Sequence, residues 1–390
     1  MPESAAYIER ARPAARWAER KGRLVMTDDT TEHADGAGGL VLTPPTRNYS
    51  PWYQWMVRLA ATTHEDPLPE GDPDPAAVPA WIARVRGRLA GLLGPEPAPV
   101  PLNVETLESV ECEGYRRDKI VFDTEDTMSV PAYLLVPDAR RDAAPGPAIL
   151  AVHGHGPGKS QVVGLEHTDM PDADYGLQLA RQGYVVLAPD LRCFGERLDW
   201  NPEDHYACDT NLVHAAMAGW NPLAQNIWDM RRSLDLLSAH PLVDPARLGM
   251  VGISYGGTMT LFTAAVDERV AACVVSGYFS SWAVSHRMPW NMCGSQMLFG
   301  MLGRLEHEDL GALVAPRPML IETGTDDDLF PVATATESVR RLRLVYDRLG
   351  AGDRLEHDIF AGGHQWHGAD AVPFLERWLG EGSGPTGTPA

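Results

Sequence analysis

The sequence predicts an α/β protein built on a doubly wound parallel sheet, with a helical region in front of it. Two patterns carry this prediction. Short apolar runs alternate with helical patterns across residues 115–380, and most of these runs are continuous. Continuous runs are typical of strands covered by helices on both faces, and strand–helix alternation is typical of parallel sheets. The chain of 390 residues is long enough for such a body and one appended region.

The strands are predicted in chain order from these apolar runs. A hairpin of two antiparallel strands comes first, at residues 119–123 and 130–136. The later strands are predicted at 148–152, 184–188, 248–253, 270–276, 318–322 and 355–360. Helical patterns lie between or after them at 174–182, 223–239, 258–265, 333–349 and 372–379.

The domain organisation follows from changes in pattern along the chain. Residues 1–114 are predicted to form a helical region that caps the site or makes a subunit contact, because 51–59 and 80–93 carry apolar side chains at helical spacing. Residues 115–380 form the predicted catalytic domain, with a lid-like insertion at 278–310 that is rich in Met and aromatic residues. Residues 381–390 contain too little apolar material to pack and are predicted to be a disordered tail.

Charge and cysteine content limit the partners and the compartment. The formal net charge of −20 argues against nucleic acid or an anionic membrane surface as partner, because both require clustered cations. No run approaches the ~18 to 20 apolar residues of a membrane helix, and the N-terminus has no apolar signal core. The five cysteines are widely spaced and include no CxxC pair, which predicts a reducing cytoplasm rather than a disulfide scaffold or zinc module.

The clearest chemical motif is a G-x-S-x-G sequence, Gly252 to Gly256, placed between an apolar strand and a helical run. A serine at the tip of such a turn has a strained backbone, so the residues two before and two after it must be small. The following helix N-terminus favours developing negative charge. The motif alone also fits a glycine-rich turn without catalytic function, but the flanking strand and helix favour Ser254 as a nucleophile.

A serine nucleophile needs a base and an orienting carboxylate, which in this kind of fold follow in the order serine, acid, histidine. The acid is expected after strand 318–322, where three adjacent aspartates stand; the spacing to Pro331 favours Asp327, with Asp328 as the competing choice. The histidine is expected after strand 355–360. His364 follows a Gly pair there, and His367 is its competitor.

The segment His153 to Gly156 follows strand 148–152 and can bring backbone amides to the nucleophile. The amides of His155 and Tyr255 are the predicted oxyanion hole. A metal site at His153 and His155 is disfavoured because no Asp, Glu or Cys accompanies them at ligand spacing. The same stretch continues to Lys159, but its spacing is not that of a phosphate-binding loop.

Together these segments resemble the α/β-hydrolases, and within them the dienelactone-hydrolase and acetyl-xylan-esterase-like group. The resemblance covers about residues 115–380 and rests on HGHG, PDLRCFGER, GISYGG, APRPMLIETGTDDDLFP and GGHQWHG. It implies an eight-stranded, mostly parallel sheet and no cofactor. It also implies a triad of Ser254, His364 and Asp327. Two departures stand out: serine replaces the cysteine nucleophile of dienelactone hydrolases, and Cys193 interrupts the usual D-x-R-G-x-G pattern.

The predicted function is a cytoplasmic serine hydrolase that cleaves carboxylic esters of small or medium organic molecules through an acyl-enzyme. No cofactor, metal, nucleic acid or membrane is expected, and a homodimer is possible. The alternatives are an amidase or peptidase, a carbon–carbon-bond hydrolase, or a non-catalytic ligand-binding member of the fold. The residues expected to line the substrate pocket are His153, Trp282, His286, Trp290 and Met292.

Overall fold

A nine-stranded sheet forms the centre of the larger of two units of the chain. The computed structural model describes residues 33–34, 40–41, 47, 49–68, 77–198, 207–286 and 292–380. The units span Met1–Thr63 and His64–Ala390. In the first unit, the short strands β1 (His33–Ala34) and β2 (Leu40–Val41) pair antiparallel, and helix α1 spans Pro51–Ala61. Ser50 begins this helix, because its hydroxyl accepts a hydrogen bond from the Tyr53 amide at 3.2 Å.

The second unit contains the large sheet and its flanking helices. Its strands are β3 (Glu105–Cys112), β4 (Tyr115–Glu125), β5 (Met128–Pro137), β6 (Gly146–Val152), β7 (Val185–Pro189), β8 (Val243–Ile253), β9 (Val270–Ser276), β10 (Met319–Gly324) and β11 (Leu355–Phe360). Its helices are α2 (Ala77–Leu93), α3 (Lys159–Val162), α4 (Tyr175–Arg181), α5 (Ala207–Ala218), α6 (Pro222–Ala239), α7 (Tyr255–Val266), α8 (Trp282–Ser285), α9 (His307–Val314), α10 (Val332–Arg348) and α11 (Ala371–Leu379).

The strand order is β11-β10-β9-β8-β6-β7-β5-β4-β3. Strands β6 to β11 run parallel to their neighbours, and β5, β4 and β3 extend the sheet antiparallel beyond β7. The chain leaves β6 for β7 on one side and returns to β8 on the other. The carboxyl ends of β6 and β8 therefore meet at a topological switch point, where open α/β sheets bind their ligands.

Both faces of the sheet are covered, as the continuous apolar runs predicted. Along β6, Leu150 belongs to one buried apolar cluster, whereas its neighbours Ile149 and Ala151 belong to another. All three side chains are fully buried. The predicted doubly wound, mostly parallel sheet and the predicted β4–β5 hairpin are confirmed.

The predicted strand number was wrong, because the sheet has nine strands and not eight. The missed strand is β3, the edge strand, with sequence ETLESVEC. Most of its residues are exposed and polar, so it has no apolar run by which it could be found. Its place in the sheet comes from backbone pairing with β4 alone.

Helix α2 belongs to the second unit, although the sequence analysis placed it in the N-terminal region. Its buried residues Val78, Trp81, Val85 and Leu89 lie in the same apolar cluster as β6 and β8 side chains. The predicted tail at 381–390 lies outside the described residues. Among the helices that are described, none has the length and apolar content required to cross a membrane.

Candidate active site

Ser254 occupies the turn between β8 and α7, as its motif predicted. Its backbone has φ 58° and ψ −119°, a region that residues other than glycine rarely adopt. The turn is held at both ends: the Ser254 amide donates to the Ser276 carbonyl at 3.0 Å, and the Ser254 carbonyl accepts from the Thr258 amide at 2.9 Å. The surrounding structure therefore fixes a strained backbone at the site of the proposed nucleophile.

The two glycines of the motif are required by close backbone packing. A Cβ atom on Gly252 would lie 2.5 Å from the backbone of Gly256, and one on Gly256 would lie 1.9 Å from the Val152 carbonyl oxygen. Neither contact can be relieved without moving a strand or the helix. These distances give the physical reason for the small residues on both sides of Ser254.

Asp327 is the buried member of the three adjacent aspartates. It is 4% exposed, whereas Asp326 and Asp328 are exposed. Its Oδ1 atom accepts hydrogen bonds from the amides of Leu329 at 2.8 Å and Phe330 at 3.0 Å. These bonds hold the carboxylate within the loop after β10 and leave Oδ2 for another partner.

That partner is His364, whose Nδ1 atom lies 2.8 Å from Asp327 Oδ2. The ring packs on Phe330 with 5.7 Å between ring centroids. The ring also lies against Gly277, where an added Cβ would be 3.2 Å from Nδ1. Gly277 directly follows Ser276, which accepts the amide of Ser254. The structure thus brings Asp327 and His364 together at the strand ends, with the imidazole against the residue that follows the backbone partner of Ser254.

The competing histidine, His367, has another partner. Its Nδ1 atom lies 2.5 Å from Oδ2 of Asp358 on β11, and its ring stacks on Phe360. It is therefore paired away from Asp327.

The loop after β6 lies beside the turn at Ser254. A Cβ on Gly154 would lie 3.2 Å from the Cβ of Ser254 and 3.0 Å from the Ile253 carbonyl oxygen. The ring of His155 stacks on that of Tyr255, with 5.3 Å between centroids. The residues predicted to supply the two oxyanion-hole amides are thus neighbours in the structure.

The sequence analysis expected His153 to line the substrate pocket. In the structure its side chain is instead buried and holds this loop in place. It is 1% exposed. Its Nε2 atom accepts from the Leu191 amide at 3.0 Å, which leaves the ring proton on Nδ1 to donate to the Gly154 carbonyl at 2.6 Å. Burial lowers the pKa of this ring, so both nitrogens of the neutral form are used within the protein.

Lys159, in the glycine-rich stretch that resembles a phosphate loop, is buried in an ion pair. Its Nζ lies 2.5 Å from Oδ2 of Asp190, and both side chains are almost fully buried. Asp190 also accepts from the amides of Lys159 at 2.8 Å and Glu196 at 2.9 Å. The pair joins the loops that follow β6 and β7. Cys193 in the second loop has φ 72°, a conformation that favours the glycine of the usual pattern.

The residues of the 278–310 insertion that were expected to line the pocket do not share one environment in the structure. Trp282 is 1% exposed and packs in the core against Phe262 and His307, so it does not form a pocket wall. His286 is partly buried, with Nδ1 2.8 Å from the Trp282 carbonyl, and burial lowers its pKa. Met292 is partly buried against the core. Trp290 lies outside the described residues.

Glu322 was not among the sequence-predicted site residues, although it lies behind the histidine loop. This β10 carboxyl is fully buried and accepts hydrogen bonds from the Gly368 amide at 2.8 Å and the His367 amide at 3.4 Å. Burial raises its pKa to about 7. The sequence signal that could have identified Glu322 is an acidic residue near the end of an otherwise apolar strand.

Two buried thiols adjoin the loop after β6. The Cys208 and Cys293 sulfurs and a ring nitrogen of His155 lie within 4.8 Å of one another. Hydrogen bonding from Cys293, and then from His155, lowers the pKa of Cys208 to about 6. No sequence spacing points to this cluster, because its members lie in three distant segments.

The strand order, the strained serine turn and the Asp–His pair define an α/β-hydrolase. A family model described as "Abhydrolase family" matches residues 70–341, so the chain belongs to this family. The chain is similar to "Putative hydrolase YtaP" of Bacillus subtilis, with 30% identity over 76% of this chain and 99% of that protein.

Solved structures share the fold. One is described as a "putative acetyl xylan esterase" from Bacteroides fragilis, with a TM-score of 0.68, 18% identity and 85% of both chains covered. A glucuronoyl esterase from Solibacter usitatus has a TM-score of 0.59 and 18% identity, covering 81% of this chain and 96% of that one.

Proposed function

We propose that the protein is a serine hydrolase that cleaves carboxylic esters of small or medium organic molecules through an acyl-enzyme. The observation that carries the proposal is the 2.8 Å contact between Asp327 and His364, with the imidazole against Gly277, the residue after the backbone partner of the strained Ser254. A buried carboxylate that orients an imidazole next to an activated serine is the arrangement that acyl transfer requires.

In the proposed mechanism, Ser254 attacks the ester carbonyl carbon while His364 takes the hydroxyl proton at Nε2. Asp327 accepts from Nδ1, which keeps the imidazole in the tautomer whose Nε2 can act as a base, and it stabilises the imidazolium that forms. His364 then gives the proton to the leaving alkoxide, which departs as the alcohol. Water, activated by the same histidine, attacks the acyl-enzyme and releases the acid.

The backbone amides of His155 and Tyr255 are proposed to bind the oxyanion of the tetrahedral intermediate. Support comes from the stacked rings of the two residues and from the close approach of Gly154 to Ser254. Each such donor contributes on the order of 3 kcal/mol of transition-state stabilisation. His153, held by two hydrogen bonds, fixes the loop that carries one of them.

The choice of ester over amide is supported by the similar structures, two of which are described as a "putative acetyl xylan esterase" and a glucuronoyl esterase. Rates on a panel of p-nitrophenyl esters, matched anilides and acetylated sugars test this choice. Ester hydrolysis well above anilide hydrolysis is expected, and comparable rates would instead indicate an amidase.

The nucleophile is tested directly by Ser254→Ala, which should abolish hydrolysis of p-nitrophenyl acetate. A fluorophosphonate should label intact protein at Ser254 alone, as read by peptide mass spectrometry. Ser238→Ala is the matched control, because this hydroxyl bonds only within α6, to the Leu234 carbonyl. Hydrolysis that survives Ser254→Ala in a folded protein would overturn the mechanism.

We also propose that the enzyme works in a reducing cytoplasm, and that it can form a homodimer. None of the five cysteines, all of which lie in the described part of the chain, forms a disulfide, although two of them lie close together, which fits a reducing compartment. Subcellular fractionation tests the compartment, and light scattering on the purified protein tests the dimer.

A further inference from the structure

A cluster of soft metal ligands lies beside the proposed oxyanion hole. His155 comes from the loop after β6, Cys208 from the first turn of α5, and Cys293 directly precedes the short 3₁₀ turn Gly294–Gln296. One ring nitrogen and the two sulfurs all lie within 4.8 Å of one another. The thiols are buried, at 1% and 7% exposure, whereas His155 is accessible.

The two cysteines are held in place by contacts outside the cluster. Asp209 of α5 accepts from the Gly294 amide at 2.7 Å, which ties the first turn of this helix to the segment after Cys293. Gly294 has no room for a side chain, since a Cβ would lie 2.6 Å from Leu212. On the far side, Gln296 accepts from the Cys293 amide and donates to the Thr258 hydroxyl at 2.9 Å. The cysteines are therefore positioned before any ligand arrives.

The donor set has the chemistry of a zinc site. Two thiolates and an imidazole bind Zn²⁺ at about 2.3 Å and about 2.0 to 2.1 Å, which places tetrahedral donors roughly 3.5 to 3.8 Å apart. Small side-chain movements bring the observed cluster to those separations. Thiolate and imidazole ligands select zinc-like cations over Mg²⁺ or Ca²⁺, which require oxygen. The net charge of −20 also favours cation binding.

We propose that His155, Cys208 and Cys293 bind one zinc-class divalent cation, and that this binding inhibits the hydrolase. Zn²⁺ replaces the thiol protons, which pass to the buffer, and the two thiolates neutralise its charge. The fourth position is left to water. This proposal departs from the sequence expectation of no metal, which rested on the absence of Cys near His155 in the chain.

Inhibition follows from the double role of His155, and this half of the inference rests on the proposed function. The amide of His155 is one of the two proposed oxyanion donors, and its ring stacks on Tyr255, the residue of the other. Zn²⁺ draws the imidazole toward the sulfurs and away from this stacking position. The amide then loses its alignment with the tetrahedral intermediate.

Metal binding is tested on the full-length protein after reduction and chelation. Titration with Co²⁺ should give the thiolate-to-cobalt charge-transfer band and tetrahedral visible bands at one equivalent, and Zn²⁺ should abolish them. Cys208→Ser and Cys293→Ser should each weaken Zn²⁺ binding in calorimetry by more than about 100-fold, because even outer-shell changes cost about 10- to 100-fold. Cys112→Ser, on edge strand β3, is the control and should bind as the parent does.

Absence of these bands in the parent protein, or equal affinity in Cys208→Ser and Cys112→Ser, would overturn the metal site whatever the hydrolysis rates are. Inhibition is read separately. Zn²⁺ should slow p-nitrophenyl acetate hydrolysis by the parent and by Cys112→Ser, chelator should restore it, and Cys208→Ser should resist. If Zn²⁺ binds with this cysteine dependence but rates do not change, the link to the oxyanion loop is overturned and the site stands.

Discussion

The carboxylate of Asp327 lies 2.8 Å from Nδ1 of His364, and its other oxygen accepts two backbone amides of its own loop. The two residues follow adjacent parallel strands, β10 and β11, and meet at the same edge of the sheet. The loop amides fix the carboxylate, so the carboxylate in turn fixes the imidazole. This chain of contacts sets the orientation of the proposed base.

Replacing Asp327 with Asn should disturb the orientation of the His364 ring while leaving the structure of the Asp327 loop intact. The Asn carbonyl oxygen can still accept the Leu329 and Phe330 amides, but its NH₂ group then faces His364 and favours the wrong tautomer. We expect kcat for p-nitrophenyl acetate to fall by about 10³- to 10⁴-fold, with an unchanged Tm. Asp328→Asn, an exposed neighbour in the same loop, should retain nearly full kcat. Equal losses in both variants would remove Asp327 from its proposed role.

The oxyanion loop should tolerate no Cβ at Gly154. In Gly154→Ala the new methyl lies 3.2 Å from Ser254 Cβ and 3.0 Å from the Ile253 carbonyl oxygen, so the loop or the nucleophile must shift by a few tenths of an ångström. We expect kcat to drop about 10-fold or more, since misplacement by ~1 Å can cost about 10²-fold. Gly91→Ala in α2, with no heavy atom within 4 Å of the new Cβ, should leave kcat unchanged. A fully active Gly154→Ala would argue against this loop as an oxyanion donor.

The buried Lys159–Asp190 pair should contribute far more to the free energy of unfolding than the partly exposed Lys119–Glu196 pair beside it. Lys159→Met leaves the Asp190 carboxylate buried without its cation, and we expect about 3 to 5 kcal/mol lower free energy of unfolding in urea. Lys119→Met is the matched control. Lys119 pairs with Glu196 at 2.7 Å, but both side chains are partly exposed, at 26% and 45%, so the expected loss is about 0 to 1 kcal/mol. Adding Asp190→Asn to Lys159→Met should recover part of the loss.

Glu322 should make the stability of the fold depend on pH. Burial raises the pKa of this carboxyl from 4.5 to about 7, with the Asp358 carboxylate acting in the same direction. Below pH 4.5 the group is protonated in both states. Between these values the unfolded chain loses the proton while the folded chain keeps it, so the free energy of unfolding falls as pH rises.

Glu322→Gln removes this titration while its amide oxygen still accepts the Gly368 amide. The stability gained over the parent should grow from pH 5 to pH 8 by on the order of 3 kcal/mol, measured by urea unfolding. His367 and Asp358 are present in both proteins, so their own contributions to the pH dependence of unfolding cancel in the comparison. Glu113→Gln, exposed in the turn between β3 and β4, should show no such trend. A difference between Glu322→Gln and the parent that is constant with pH would contradict the prediction.

Local sequence patterns predicted most of the sheet and failed where the pattern was absent. Strands β6 to β10 contain apolar runs because helices cover both faces of the sheet there, and these runs revealed them. Strand β3 is polar and exposed, so only its pairing with β4 defines it. Trp282 was assigned to a pocket because its segment is irregular and aromatic, but composition does not distinguish a lid from a core, and the structure buries its ring.

The sequence by itself determined the strained turn at Ser254, because Gly252 and Gly256 are required by close backbone contacts within and beside this one strand–helix turn. It also narrowed the acid and the base to a few neighbouring candidates, since chain order in a parallel sheet fixes which loops share an edge. Only the tertiary structure buried Asp327 against His364 while leaving Asp326 and Asp328 exposed, paired His367 with Asp358, and brought two distant cysteines to His155. Such side-chain proximity depends on how whole helices, strands and loops pack against one another, so it cannot be predicted from the local periodicity of apolar residues.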